Sequence, residues 1–228
     1  MNFLSHYHIQ SIPDNNEYSI GVTLPDIISL YQNPKPISSR IITDIADKQN
    51  ISPQESRLVC GMNAHYQADK IFHTSPWFTN SMQSVCNLYT DVFNKHLPQS
   101  LSHILVEILL DKFLIENNPE IISKFYDQYQ KFNIKTAHNL FERCAFYDKS
   151  LFEKSFTRFK TLRYIENYRT YSGIAQTLKQ ISERLDIKTS VNFDLLSDFI
   201  SSSYRMIEGE CFMFFDKTQK KMFKKSRC

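Results

Sequence analysis

Glycine is scarce in this chain: only Gly21, Gly61, Gly173 and Gly209 occur among 228 residues. Tight β-hairpin turns usually require glycine, so the scarcity argues against a hairpin-rich β fold. The glycine-rich phosphate loops GxGxxG and GxxxxGKS/T are both absent from the sequence. The chain is therefore expected to fold through elements that need few tight turns.

Apolar residues recur at helical spacing, and several of these stretches begin with helix-start signals. The clearest signal is Ser52-Pro-Gln-Glu55, a capping box with proline at the first helical position. The pattern predicts an all-α fold, a single-domain multi-helix bundle over residues 1–215. The predicted helices span 20–32 (kinked near Pro25), 53–74, 76–94, 99–116, from a cap at 118–120 to 131, 136–146, 149–169, 173–186 and 192–214.

Cysteine usage and charge indicate the compartment and the partners. Five scattered cysteines without a CxxC pair predict reduced thiols in a cytoplasmic protein. No apolar run reaches the roughly 20 residues of a membrane span, and the opening MNFLSHYHI lacks signal-peptide features. Six of the 27 basic residues fall in the last twelve positions, so residues 216–228 are predicted to form a basic, frayed tail. Without a recognition module, nucleic acid is not an expected partner.

One predicted helix carries His65, Asp69 and His73 at i, i+4 and i+8, which places all three on one face. Such a row can bind a metal or move a proton, although a plain surface pair is the simpler explanation. Gly61 lies one turn before His65 and costs about 1 kcal/mol inside a helix. Either a ligand or a closely crossing helix would explain that glycine.

A second predicted helix carries His103, Glu107 and Asp111 with the same spacing. Its other residues are mostly apolar, so this helix is expected to be buried almost all round. A carboxylate buried without a partner costs several kcal/mol or loses its charge. A divalent cation, an arginine or a histidine must therefore balance the negative charges of Glu107 and Asp111.

The first 30 residues add three candidates. His6 and His8 are two apart, so at most one points inward if their segment is helical. Asp26 lies among apolar residues and raises the same question of compensation, with a helix cap as the alternative. Mixed histidine and aspartate ligands suit Mn²⁺, Mg²⁺, Fe²⁺ or Zn²⁺. Such an ion would support metal-assisted hydrolysis, with a remaining carboxylate or histidine as general base.

These same residues carry a resemblance to the acyl carrier protein phosphodiesterases. The opening MNFLSHYHI resembles that family's MNFLAHLHL start, and GVTLPDI at 21–27 resembles its Gly-x-x-x-x-Asp-Phe segment. GMNAHYQAD at 61–69 is similar to its Gly-x-x-x-His-Arg-x-Ile-Asp motif, and LVEILLDKFL at 105–114 to its aspartate-bearing helix. The blocks occur in the family's order over about residues 1–186. Tyr66 replaces the motif arginine, and His73 stands where the family has an aspartate.

The resemblance implies an all-α, HD-domain-like fold related to the HD-type metal phosphohydrolases. It implies release of 4′-phosphopantetheine from holo-acyl carrier protein with a divalent cation, Mn²⁺ first, in the context of fatty acid biosynthesis. The implied metal ligands are His6, Asp26, His65 and Asp111. The implied catalytic residues are Asp69 and Asp111, with supporting roles for His8, His73, His103 and Glu107.

Acyl carrier protein is acidic, so a basic docking face is expected. The candidate docking residues lie on one predicted helix and at its end: Lys154, Arg158, Lys160, Arg163 and Arg169. Two alternatives remain open at this point, a diverged phosphohydrolase of a small phosphoester and a non-catalytic helical binding protein. The binding protein would spread His65, Asp69 and Asp111 apart and meet each acid with arginine or lysine.

Overall fold

A computed structural model describes residues 1–31, 38–48, 50–143, 148–187 and 192–225. Every regular element in these ranges is helical, which confirms the all-α prediction. The helices are α1 (Phe3–Gln10), α2 (Asn16–Gly21), α3 (Leu24–Tyr31), α4 (Ser39–Lys48), α5 (Pro53–His73), α6 (Pro76–Phe93), α7 (Gln99–Asn117), α8 (Ile121–Lys131), α9 (Ile134–Phe141), α10 (Lys149–Leu162), a 3₁₀ helix (Tyr164–Arg169), α11 (Tyr171–Arg184) and α12 (Phe193–Lys225).

Several helix boundaries follow from local sequence. At the start of α5, Ser52 Oγ accepts the Glu55 backbone N–H at 3.2 Å, while Glu55 accepts the Ser52 N–H at 2.6 Å. The predicted capping box is therefore present, with Pro53 at the first helical position. Helix α7 is buried nearly all round, as its apolar sequence predicts, and it runs through the centre of the bundle.

Three helix predictions are wrong in part. The 20–32 segment is two helices separated at Val22 and Thr23 rather than one helix kinked at Pro25. The 149–169 segment divides at Arg163, which has a φ of 44° and holds its guanidinium 4.6 Å from the Tyr126 ring centre. Helix α4 is absent from the predicted set. The predicted helix at 136–146 ends at Phe141, and residues 144–147 lie outside the described ranges.

The C-terminal prediction of a frayed tail also needs correction. Helix α12 continues without interruption to Lys225, and Thr218 and Met222 within that stretch are buried. Earlier in α12, Phe214 stacks on Trp77 with ring centres 4.5 Å apart, which attaches the helix to α6. Residues 226–228 lie outside the described part of the chain. No described helix is long and apolar enough to cross a membrane.

Two glycines set the distance between α2 and α5. A Cβ atom added at Gly21 would lie 2.4 Å from the Leu58 carbonyl oxygen, and one added at Gly61 would lie 2.2 Å from the Tyr18 carbonyl oxygen. Each of these Cβ atoms would also lie 2.9 Å from the other glycine's Cα. A tight helix crossing therefore accounts for Gly61, and it brings the end of α2 against the histidine one turn further along α5.

Candidate metal centre

Helix α1 is fixed to the centre of the bundle by Asp111 of α7. The Asp111 carboxylate accepts the Leu4 and Ser5 backbone N–H groups at 3.1 and 2.8 Å and the Ser5 hydroxyl at 2.7 Å. These are N–H groups of the first turn of α1, where Asn2 supplies no side-chain cap. Asp111 therefore caps a helix from outside it and fixes the position of His6, the next residue.

His6 and His65 lie face to face, with ring centres 4.0 Å apart. Each imidazole has an oxygen partner at Nδ1: Gln10 Oε1 at 3.1 Å from His6, and the Val22 carbonyl at 3.0 Å from His65. Since both partners accept, each Nδ1 carries a proton, which leaves Nε2 as the nitrogen of each ring that a metal could use. The two Nε2 atoms are thus oriented as metal ligands.

Two carboxylates face these nitrogens. His65 Nε2 lies 3.6 Å from Asp26 Oδ1 and 3.3 Å from Asp69 Oδ2, and His6 Nε2 lies 3.0 Å from Asp69 Oδ1. Ligand atoms of His6, Asp26 and His65 all lie within 4.8 Å of one another. We call these three residues the inner group. Asp69 lies beside the inner group and contacts both imidazoles.

The inner group contains polar atoms that a cation would satisfy. His6 Nε2 and Asp26 Oδ2 are buried and make no hydrogen bond within the described residues. No described lysine or arginine forms an ion pair with Asp26, Asp69 or Asp111. Buried polar atoms are rarely left without partners, and this donor set of nitrogen and carboxylate oxygen suits a borderline divalent ion. The residues present therefore fit a metal.

Burial opposes charge on every member of the inner group. It raises the pKa of Asp26 to about 7, although His65 opposes the shift. It lowers the pKa of His6 to about 4, and His65 adds to this effect. Burial also acts against the charged form of His65, but Asp26 and Asp69 outweigh it and raise that pKa. Without a cation, this pocket disfavours charge on both His6 and Asp26.

Asp69 behaves differently. Burial acts against its charge, but the Met1 ammonium and His6 outweigh burial and hold the pKa of this carboxyl far below its usual range. The ammonium lies 2.7 Å from Asp69 Oδ1 and 3.0 Å from Glu107 Oε1. Asp69 is therefore firmly ionised, and its charge orients the two imidazoles that it contacts.

A second group lies nearby at the surface. His73 Nε2 and His103 Nε2 lie 3.2 and 3.0 Å from Glu107 Oε1. Ligand atoms of His73, His103 and Glu107 also lie within 4.8 Å of one another. We call these three residues the outer group. In the first predicted row, His65 and Asp69 lie at the inner group and His73 lies in the outer group. In the second predicted row, His103 and Glu107 lie in the outer group, whereas Asp111 contacts α1.

Two sequence-predicted residues lie apart from both groups. Asp111 uses its carboxylate to hold α1, and it belongs to neither set of converging ligand atoms. Burial raises its pKa to about 7 despite the hydrogen bonds from Ser5 and Leu4. His8 is exposed on the opposite side of α1 from His6, with its ring 5.3 Å from that of Phe215.

A cleft of about 550 Å³ opens beside the inner group and reaches the outer group. Its volume is typical of sites for small organic ligands. It is lined by both charged and apolar side chains, including Asp26, Glu107, Arg158, Leu162 and Arg184.

The predicted docking residues do not form one uniform face. Lys154 and Arg158 are exposed on α10, and both line a shallow depression that adjoins the cleft at Arg158. Lys160 places its ammonium 5.5 Å from the Phe156 ring centre. Arg163 and Arg169 both pair with Glu166, at 3.0 and 2.7 Å. Lys154 and Arg158 are therefore the two predicted docking residues that are exposed beside the cleft.

Sequence reasoning did not find the groups that orient the histidines. Gln10 lies four residues after His6, and that spacing is a usable signal for a side-chain contact. The Val22 carbonyl had no such signal, because its approach to His65 depends on the crossing of two helices. The place of Arg184 in the cleft likewise depends on tertiary packing, in this case that of α11.

Comparison with known protein families gives a match over most of the chain. The family model described as acyl carrier protein phosphodiesterase matches residues 31–218, a range that contains His65 and Asp69 and begins after Asp26. No curated protein and no solved structure matches the chain. Because the matched range covers most of the sequence, the chain belongs to the acyl carrier protein phosphodiesterase family.

Proposed function

We propose that this protein is a cytoplasmic, metal-dependent phosphodiesterase that releases 4′-phosphopantetheine from holo-acyl carrier protein. One observation carries the proposal: within a member of this family, His6, Asp26 and His65 bring ligand atoms within 4.8 Å of one another beside a cleft, and two of their buried atoms, His6 Nε2 and Asp26 Oδ2, make no hydrogen bond within the described residues. Mn²⁺ is the first candidate for the cation, followed by Mg²⁺, Fe²⁺ and Zn²⁺.

His6, Asp26 and His65 would hold the cation. When bound, a divalent ion activates water and neutralises charge on a phosphoryl group. Gln10 and the Val22 carbonyl keep the two imidazoles in the tautomer that this role requires.

Asp69 and Asp111 take roles that differ from the implied catalytic ones. Asp69 is held ionised by its neighbours, and a carboxylate of such low pKa is a weak general base, so we assign it to orienting His6 and His65. Asp111 contacts α1 rather than the cleft, so we assign it to positioning His6 through that helix. Both are positioning residues in this proposal.

The lining of the cleft is chemically complementary to a phosphopantetheine arm. Arg158 and Arg184 supply positive charge for a phosphate, while Leu162, Ile108 and Ile181 supply apolar surface for the rest of the arm. Lys154 lies next to Arg158 on the outside of α10, where it would meet an acidic carrier protein.

The proposal is tested by measuring the mass of the carrier protein after the reaction. Purified protein with Mn²⁺ and holo-acyl carrier protein should yield carrier protein lighter by one phosphopantetheine group. His65→Ala and Asp26→Asn should abolish this loss, whereas His96→Gln, at an exposed position, should retain it. An unchanged carrier mass in the presence of bound metal would contradict the proposed substrate. Hydrolysis of bis(p-nitrophenyl) phosphate by the same preparation would then support the alternative, a phosphohydrolase of small phosphoesters.

A further inference from the structure

We propose that the outer group, His73, His103 and Glu107, is a second cation site, suited to Zn²⁺ or a similar ion. Two imidazole nitrogens from different helices point at a single carboxylate oxygen. Two histidines and a glutamate form a known ligand set of zinc sites that keep one position open.

The spacing of the donor atoms fits such an ion. Around a tetrahedral ion with bonds of about 2.1 Å, neighbouring ligand atoms are separated by about 3.4 Å. The two nitrogens lie 3.2 and 3.0 Å from Glu107 Oε1, so small side-chain rotations would admit a cation. The side chains of His73 and His103 are each 35% exposed, which leaves a path for the ion.

Aromatic side chains hold the two imidazoles in place. The His73 ring lies 5.0 Å from that of Phe72 and 5.3 Å from that of Phe78, and the His103 ring lies 4.9 Å from that of Phe78. The two imidazoles are themselves 4.7 Å apart. A site with ligands held in this way binds with little loss of side-chain freedom.

Glu107 has no lysine or arginine partner in the described chain. Its Oε1 atom is instead contacted by the two imidazoles and by the Met1 ammonium at 3.0 Å. A divalent ion bound here would replace the contacts of the two imidazoles with this oxygen and would compete with the Met1 ammonium for it. Because two imidazoles dominate the ligand set, it favours Zn²⁺ or Co²⁺ over Mg²⁺.

The outer and inner groups share no residue, so their occupancy can be separated by mutation. We would titrate metal-free protein with Co²⁺ and count bound equivalents by equilibrium dialysis and visible absorption. Wild type should bind two equivalents. His73→Gln and His103→Gln should each bind one, and so should His65→Ala, through loss of the other site. His96→Gln is the matched control and should bind two.

The outcomes separate the second site from the proposed activity. If wild type binds one equivalent that only His65→Ala removes, the second site is refuted and the inner site stands. If one equivalent is lost in His73→Gln and His103→Gln but kept in His65→Ala, the second site is supported and the inner cation is refuted. Unchanged binding of two equivalents in His73→Gln and His103→Gln would also refute the second site. Circular dichroism checks that each variant is folded.

Discussion

The Asp111 carboxylate accepts the Ser5 backbone N–H at 2.8 Å and so joins two residues that are 106 positions apart in sequence. Through this contact the central helix α7 determines where α1 lies. His6 follows Ser5 directly, so the position of one candidate metal ligand depends on a carboxylate that does not touch the metal group.

Replacing Asp111 with asparagine should destabilise the protein by about 1–3 kcal/mol, since one acceptor for the α1 N–H groups becomes an amide donor. Urea unfolding followed by circular dichroism measures this change. Asp91→Asn, at an exposed position on α6, is the control and should change stability by less than about 0.5 kcal/mol. Equal stability of the two variants would show that Asp111 does not hold α1.

Replacing Gly61 with alanine should destabilise the fold by about 2 kcal/mol, because the new Cβ would overlap the Tyr18 carbonyl. In α12, a Cβ added at Gly209 would meet no neighbouring atom within 4 Å, so Gly209→Ala should stabilise by about 0.5–1 kcal/mol through helix propensity. Thermal unfolding of both variants gives the comparison. A stabilised Gly61→Ala protein would contradict the close helix crossing.

Replacing Gln10 with alanine should weaken cation binding about 10–100-fold, because His6 loses the acceptor that fixes its tautomer. Isothermal titration with Mn²⁺ measures the affinity. Gln83→Ala removes an exposed glutamine of α6 and should bind as wild type does. If Gln10→Ala also keeps full affinity, the orienting role of Gln10 is wrong.

Removing the cation should lower the melting temperature. At a metal concentration 100 times the dissociation constant, binding stabilises the folded state by about 2.7 kcal/mol. For a chain of this size we expect a shift of about 5–10 °C between Mn²⁺ and chelator. In His65→Ala, the part of this shift that comes from metal binding at the inner group should be mostly lost. Identical melting curves with Mn²⁺ and with chelator would count against any cation site.

Reversing one charge at the cleft should affect carrier-protein recognition more than removing a paired charge. Arg158→Glu should raise the KM for holo-acyl carrier protein about tenfold, since an acidic partner would be repelled. Arg169→Ala should leave KM within about twofold, because Glu166 already neutralises Arg169. Steady-state kinetics at low salt measure both. Equal KM values would place the docking surface elsewhere.

Helical periodicity and the capping box were enough to predict the all-α class and the start of α5. Sequence spacing also identified most of the polar residues of the two groups, because residues four apart share a helical face. Sequence spacing alone could not predict which of these residues contact one another in the folded protein. Eight residues of helix extend about 12 Å, so His65 and His73 reach different neighbours although they share one face.

The break at Arg163 shows the same limit. The residues around it have helical periodicity, but contacts with Tyr126 and Glu166 stabilise a left-handed backbone conformation there. These contacts come from tertiary packing, which overrides local preference. The prediction of a single helix over 149–169 was therefore wrong at Arg163, because tertiary contacts determine the backbone conformation there.

The contact between Gly21 and Gly61 constrains how this protein can change over evolutionary time. A side chain at either position would force α2 and α5 apart, and a compensating substitution at the other is ruled out because both are already the smallest residue. Separating the helices would withdraw the Val22 carbonyl from His65. Related chains that lack either glycine are therefore expected to have reorganised or lost this histidine's function.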